Sequence, residues 1–174
     1  RGVTEAIHTG ANRETMQAVL DELHLGGTGL LFANLVDFDM LYGHRNDPAG
    51  FASALEVADS FIGEVLRALR QRDLLLISAD HGCDPTTAGT DHTREYVPVL
   101  ACGPCVKPAT DLGTRGSFAD LGATLCEALG VRTMPVGTSF WSTIAADAAP
   151  RRTDLERQRV DWLRRRSLLD GPAG

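Results

Sequence analysis

Apolar residues along the chain form two patterns: short continuous runs and longer stretches with helical spacing. The continuous runs cover residues 29–36, 74–77 and 97–101. Such runs are typical of strands that are buried on both faces, as in a parallel sheet. Helical spacing covers residues 12–25, 49–71 and 117–129. This order of strands and helices predicts an α/β fold with a mainly parallel sheet flanked by helices.

Residues at the ends of the helical stretches indicate where the helices begin and end. Asn12 is suited to cap the first helix, and Gly26 follows its last residue. Residues 117–120, Ser-Phe-Ala-Asp, resemble a capping box with Asp in place of the usual Glu, and Gly130 closes that helix. We expect the last ordered segment at residues 133–144.

The chain changes character near residue 145. Residues 145–174 contain seven Arg against five Asp and Glu, a net charge of +2, which leaves −8 for the preceding residues. Their helical stripe of apolar residues is weak. We therefore expect one core over residues 1–144, followed by an Arg-rich, solvated and partly helical tail.

Composition and charge exclude several classes of protein. The 174 residues are 43% hydrophobic, which fits a globular domain, and no apolar run approaches the about 20 residues of a membrane span. A net charge of −6 argues against a nucleic-acid partner and is compatible with binding divalent cations. Four cysteines do not make a disulfide framework and favour a cytoplasmic protein. The chain begins with Arg1 rather than Met, and we expect it to be part of something longer.

Carboxylate and imidazole side chains follow two of the predicted strands. The first strand is followed by Asp39 and His44, and the second by Asp80, His81 and, across a short loop, His92. Active sites of α/β sheets lie at the carboxyl ends of strands, so these residues are expected to converge. Mixed Asp and His sets bind Zn²⁺ or Mn²⁺. Five ligands suit two metals about 4 Å apart, an arrangement that commonly serves phosphoryl transfer.

Each of these residues also has an ordinary interpretation. A single histidine can hydrogen-bond within a turn, and Asp37, Asp47 and Asp84 fit either turns or the orientation of metal-bound histidines. Arg45 and Arg94 lie next to the candidate histidines and suit either a phosphate group or a structural salt bridge. The coincidence of two strands that both end in Asp and His favours a metal site.

Two long segments carry a resemblance to a known family. Residues 34–47, NLVDFDMLYGHRND, and residues 79–98, ADHGCDPTTAGTDHTREYVP, resemble the C-terminal part of the phosphopentomutase family of the alkaline phosphatase superfamily. The resemblance extends over residues 1–144. It implies an alkaline-phosphatase-like core that is incomplete, because the N-terminal part and the cap domain are absent.

The resemblance also implies the metals, the substrate and the site residues. Two Mn²⁺ ions and interconversion of (deoxy)ribose 1-phosphate with (deoxy)ribose 5-phosphate are expected. By motif position, one metal is held by Asp39, His44 and His92, and the other receives Asp80 and His81.

Several parts of the family's site have no counterpart in this chain. The Thr nucleophile and an Asp ligand near the family's N-terminus cannot be placed, so no catalytic nucleophile is assigned and the isolated chain is expected to be inactive. The expected partners are a pentose phosphate and the missing N-terminal portion. Two alternatives stay open: another superfamily enzyme, such as cofactor-independent phosphoglycerate mutase, or a non-catalytic metal-binding remnant.

Overall fold

A computed structural model describes residues 3–132 and 134–146. These residues form four α-helices, one π-helix and two short strands. In chain order the elements are α1 (Asn12–Leu25), the π-helix (Phe38–Gly43), α2 (Pro48–Ala68), β1 (Leu75–Ser78), β2 (Val99–Cys102), α3 (Ala119–Ala128) and α4 (Trp141–Ile144). The Arg-rich tail predicted over residues 145–174 lies almost wholly outside the described residues. Among the described helices, none is both long and apolar enough to cross a membrane.

The chain divides into two compact units. The first contains α1, the π-helix, α2 and the loop of residues 81–97. The second contains β1, β2, α3 and α4. Of the five candidate metal ligands, all except Asp80 belong to the first unit.

The helices of the first unit follow the local signals in the sequence. α1 has its predicted bounds, but Asn12 is its first residue and its side chain does not cap the helix. Instead the Asn12 backbone N–H donates to Asp37 Oδ2 at 2.9 Å, and the Asn12 side-chain oxygen accepts from the Asp37 N–H at 3.0 Å. α2 begins at Pro48, where the missing N–H costs nothing, and Asp47 Oδ1 accepts the Gly50 N–H at 2.9 Å.

α2 ends at Ala68 rather than at the predicted residue 71. The residues after it form a turn in which both the backbone N–H and the guanidinium of Arg70 bond to the Asp73 carboxylate. This local competition for hydrogen bonds stops the helix.

The prediction of a mainly parallel sheet is wrong for the strands that pair. β1 and β2 run antiparallel, with Leu75 opposite Cys102 and Ser78 opposite Val99, and they are the whole sheet within the described residues. The predicted strand over residues 29–36, the first in chain order, does not pair as a strand, and Leu30, Leu31 and Phe32 are exposed. Apolar content identifies a segment that favours burial, but pairing needs a neighbour, and neighbours are set by distant parts of a chain.

The predicted capping box before α3 forms only in part. The Ser117 hydroxyl accepts the Ala119 N–H at 3.1 Å, as a cap residue does. Asp120 does not complete the box, because its carboxylate accepts from the Arg115 guanidinium at 2.9 and 3.0 Å and from the Thr138 N–H at 2.8 Å. An ion pair and a contact with a distant segment therefore replace the local cap.

The core of the second unit lies where α4 packs against the two strands. Cys105, Phe140, Trp141 and Ile144 are buried there. Apolar side chains that pack around them include Leu74, Leu76, Val99, Ala101 and Leu121. The fully buried Thr124 hydroxyl donates to the Asp120 carbonyl at 2.7 Å and accepts the Phe140 N–H at 3.0 Å, so it joins α3 to α4.

Gly137 is a position where the backbone requires glycine. Its φ is +91°, and a Cβ there would overlap the Ala119 carbonyl. We expect Gly137→Ala to lower the free energy of unfolding by about 1–3 kcal/mol, measured by urea denaturation and tryptophan fluorescence. Gly116 has open space and no positive φ, so Gly116→Ala is the matched control and should be neutral or stabilise by up to about 1 kcal/mol. Equal effects of the two substitutions would contradict this account.

Candidate metal centre

The π-helix places Asp39 and His44 on one face. In an α-helix, residues five apart would point about 140° away from each other. Here the His44 N–H donates to the Asp39 carbonyl at 2.9 Å, an i to i−5 bond of the wider π turn. As a result His44 Nε2 lies 3.2 Å from Asp39 Oδ2.

The loop of residues 81–97 supplies the other two imidazoles. A bridge between Gly82 and Thr93, with the Thr93 N–H donating to the Gly82 carbonyl at 3.2 Å, closes the loop. This closure stacks the rings of His81 and His92, with centroids 3.7 Å apart and planes 18° apart. Gly82 is needed for the approach, because a Cβ there would overlap backbone atoms of Thr93 and Glu95.

The Asp39 carboxylate lies among the three imidazoles. Besides the His44 contact, Asp39 Oδ1 is 3.3 Å from His92 Nε2 and 4.0 Å from His81 Nε2. One ligand atom each from Asp39, His81 and His92 lies within 4.8 Å of the others, a group that can hold a metal ion. The structure therefore groups His81 with Asp39 and His92, whereas the family resemblance assigned it to a second metal.

Backbone carbonyls set the tautomers of two of these histidines. Nδ1 of His44 contacts the Thr90 carbonyl oxygen, and Nδ1 of His81 lies 3.0 Å from the Gly82 carbonyl oxygen. A carbonyl only accepts hydrogen bonds, so each Nδ1 carries the hydrogen, and in a neutral ring Nε2 then presents a lone pair. Both Nε2 atoms are the ones directed at Asp39, as in metal-bound histidines whose other nitrogen is held by the protein.

The donor set fits a divalent cation. Asp39 Oδ1 is shielded from solvent and accepts no hydrogen bond from the described residues. Leaving a buried carboxylate oxygen without a donor is costly, and imidazole lone pairs facing it add repulsion. A cation between them removes both penalties, and one carboxylate with several imidazoles is a set that suits Zn²⁺ or Mn²⁺.

The remaining predicted site residues are Asp80, Arg45 and Arg94. Asp80 follows β1 and belongs to the second unit, although it directly precedes His81 in the chain. Arg45 Nε contacts the Met40 carbonyl of the preceding π-helix at 3.4 Å, and Arg94 is exposed. The geometry thus brings together Asp39, His44, His81 and His92.

Cys83 lies beside the cluster and packs against the π-helix. A Cβ on Gly43 would overlap its sulfur, so the thiol fills the space against the π-helix. Burial raises the pKa of the Cys83 thiol, and the negative charges of Asp39, Glu95 and Asp84 raise it further. Without a cation nearby, the Cys83 thiol is therefore protonated near neutral pH.

The structure shows orienting groups that the sequence analysis missed. The carbonyls of Gly82 and Thr90 fix two imidazoles, and backbone groups leave no residue-type signal. Of the two roles considered for Asp84, the structure shows the turn. The Asp84 carboxylate accepts hydrogen bonds from the Thr86 hydroxyl at 2.7 Å, from the Thr86 N–H at 2.9 Å and from the Thr87 hydroxyl at 2.9 Å. These hydrogen bonds lower the pKa of Asp84, the Thr86 hydroxyl most of all.

The chain belongs to the Metalloenzyme superfamily, whose family profile matches residues 1–133. Among individual relatives it is 54% identical over 144 residues to the phosphopentomutase of Anaeromyxobacter sp. (strain K), covering 83% of this chain and 37% of that protein. It is 49% identical over 140 residues to the phosphopentomutase of Caldanaerobacter subterraneus subsp. tengcongensis, covering 80% of this chain and 36% of that protein. The resemblance inferred from the two motifs is confirmed. The chain spans a little over a third of the length of these relatives.

Removing the strongest donor to Asp84 should shift its titration. We expect Thr86→Val to raise the pKa of Asp84 toward its ordinary value, measured by carboxyl ¹³C NMR titration. The folded-state pKa lies below the unfolded-state value, so Asp84 stabilises the fold above the unfolded-state pKa. That contribution is lost as the pH falls through the folded-state pKa. Thr110→Val, which removes a hydroxyl bonded to a backbone carbonyl instead, is the control. An unchanged Asp84 pKa in Thr86→Val would refute this assignment.

Proposed function

We propose that this chain carries the metal-binding part of a phosphopentomutase, the enzyme that interconverts (deoxy)ribose 1-phosphate and (deoxy)ribose 5-phosphate. The observation that carries the proposal is the gathering of three imidazoles around the Asp39 carboxylate, at motifs in which the chain resembles phosphopentomutases. The isomerase relatives, about half identical to it, support the same reaction. A cytoplasmic location stays a prediction from cysteine usage.

We assign the residues to two metals by the family motifs, and the distances support the first of the two sets. Asp39, His44 and His92 would hold one Mn²⁺, while Asp80 and His81 would contribute to a second. Bound metal of this kind supplies positive charge against the oxygens of a transferred phosphoryl group. The chain's own contribution is to fix the imidazole rings through the Gly82 and Thr90 carbonyls, so that the ligand atoms are aligned before metal and substrate arrive.

Two arginines are proposed to meet the phosphate of the substrate. Arg45 directly follows His44, and Arg94 lies two residues after His92 on an exposed stretch of loop. A guanidinium presents paired N–H donors that match two phosphate oxygens. Within the described part of the chain, Arg45 makes one 3.4 Å contact with a carbonyl, which leaves most of its donors available for that purpose.

We propose that the remaining portion of a phosphopentomutase polypeptide packs against residues 30–35. The exposed fractions of Leu30, Leu31 and Phe32 are 59%, 47% and 82%, so three successive apolar side chains of this segment meet solvent. Successive residues of a strand point to opposite faces, and burial of both is typical of a strand inside a sheet. The relatives are almost three times as long as the matched region, so the rest of such a polypeptide is long enough to cover this segment. The same portion would carry the Thr nucleophile, so the isolated chain would be inactive.

Metal binding by the chain alone tests the ligand assignment. We expect the protein to bind Mn²⁺ in isothermal titration calorimetry, and Asp39→Asn and His92→Asn to weaken binding at least about tenfold by removing ligands. His24→Asn changes an exposed histidine in the last turn of α1 and should bind as the unsubstituted chain does. Circular dichroism monitors folding. Absence of Mn²⁺ binding, or equal affinity in all four proteins, would refute the assignment.

Turnover after completion of the chain tests the enzyme assignment. The N-terminal portion of the Anaeromyxobacter relative would be fused to this chain and assayed with Mn²⁺. We expect conversion of ribose 1-phosphate to ribose 5-phosphate by the fusion and none by the isolated chain, because the nucleophile comes from the added portion. Hydrogen exchange at residues 30–35 should slow in the fusion.

His92→Asn in the fusion should abolish turnover, and His24→Asn should not. Activity of the fusion on phosphoglycerate without activity on ribose 1-phosphate would overturn the choice of substrate. A fusion that is folded and inactive on both would favour the non-catalytic remnant.

A further inference from the structure

Asn46 adopts a backbone conformation that side chains rarely take. Its φ is +50°, in the left-handed region, two residues beyond His44. Asn tolerates this region better than most residues, because its short polar side chain can hydrogen-bond nearby. The tight turn is held by the Asn46 N–H, which donates to the Gly43 carbonyl at 3.1 Å.

The side chain of Asn46 reaches across to the other ligand-bearing loop. Its amide nitrogen donates to the Thr87 carbonyl at 2.8 Å and contacts the Pro85 carbonyl at 3.4 Å. That stretch is itself ordered, because the Asp84 carboxylate binds the residues that follow it. Asn46 therefore ties the end of the π-helix to a preformed turn.

Three residues after Thr87, the chain presents the carbonyl that orients His44. Gly89 between them has φ +105°, which lets the chain turn back so that the Thr90 oxygen meets His44 Nδ1. Two links thus join the same two segments. One link is the amide of Asn46 to the carbonyls of residues 85 and 87, and the other is the ring of His44 to the carbonyl of residue 90.

We propose that Asn46 is a positioning residue for the candidate metal centre. It holds the loop of residues 84–90 in register with the π-helix, so that the Thr90 carbonyl keeps the hydrogen of His44 on Nδ1 and leaves Nε2 for a cation shared with Asp39. This inference rests on the proposed metal site. It goes beyond that site because Asn46 touches neither the metal nor the substrate.

The substitutions separate the side chain from the backbone conformation. Asn46→Gly keeps the left-handed turn accessible and deletes only the amide, while Asn46→Asp keeps the size and puts acceptor oxygens against the two carbonyls. We expect Mn²⁺ affinity to fall about three- to tenfold in Asn46→Gly, in line with the loss of one hydrogen bond, and further in Asn46→Asp. Ala109→Gly, at an exposed residue whose φ is also positive (+52°), is the control and should retain affinity.

A double-mutant cycle distinguishes positioning from general stability. If Asn46 acts through His44, Asn46→Gly should add no loss of Mn²⁺ affinity in a His44→Ala background. An equal loss in both backgrounds would overturn the proposal.

The tautomer of His44 in the metal-free chain gives a readout that does not depend on metal binding. Imidazole ¹⁵N shifts at mildly alkaline pH should show the Nδ1–H form in the unsubstituted protein and a mixture with Nε2–H in Asn46→Gly. Retention of the Nδ1–H form in a folded Asn46→Gly would overturn the inference, whether or not Mn²⁺ binds. The unsubstituted chain could also fail to bind Mn²⁺ while the expected tautomer shift is observed. That result would refute the metal assignment, and the link between Asn46 and His44 would still be supported.

Discussion

The candidate metal centre depends on one electrostatic constraint: hydrogen-bond acceptors are held face to face. The Asp39 carboxylate is acceptor-only when charged, and the Nε2 atoms of His44 and His81 face it because their Nδ1 atoms are taken by carbonyls. Acceptors at these distances repel unless protons or a cation lie between them. The fold thus holds these acceptors close together, and a cation bound between them would relieve their repulsion.

Two local departures from regular structure create that geometry. The π-helix brings residues five apart onto one face, which an α-helix does not do. The closed loop of residues 81–97 stacks two imidazoles that are eleven positions apart in the sequence. Spacing along the chain identifies which residues carry the chemistry, and it gives no measure of the angles between them. For this reason the order of residues predicted that the candidate ligands converge, but it did not predict which of them lie nearest to one another.

The contrast between helices and strands has the same physical origin. α1 and α2 were predicted to within a few residues, because caps, proline and helical spacing act over one or two turns. Residues 74–77 and 97–101 were identified as strands from their apolar content, but their antiparallel pairing depends on a neighbour chosen by the whole chain. Residues 29–36 have the composition of a strand and lack a partner strand among the described residues, so they do not form a strand. The sequence gives no local signal for Asn46, because its side chain bonds to the Thr87 carbonyl, 41 positions away.

Burial is distributed unevenly, and this bears on what holds the metal ligands in place. The second unit concentrates large buried side chains around Phe140 and Ile144. The first unit, which carries Asp39 and the imidazoles, buries Met16, Ala58 and Val65, while Leu30, Phe32 and Leu55 are exposed within its described part. With less apolar burial, its geometry relies more on directed contacts such as the Asn12–Asp37 pair and the Asn46 amide. A cation that binds the folded arrangement would stabilise this unit by an amount that grows with the logarithm of its affinity, so that metal binding and local folding would be coupled here.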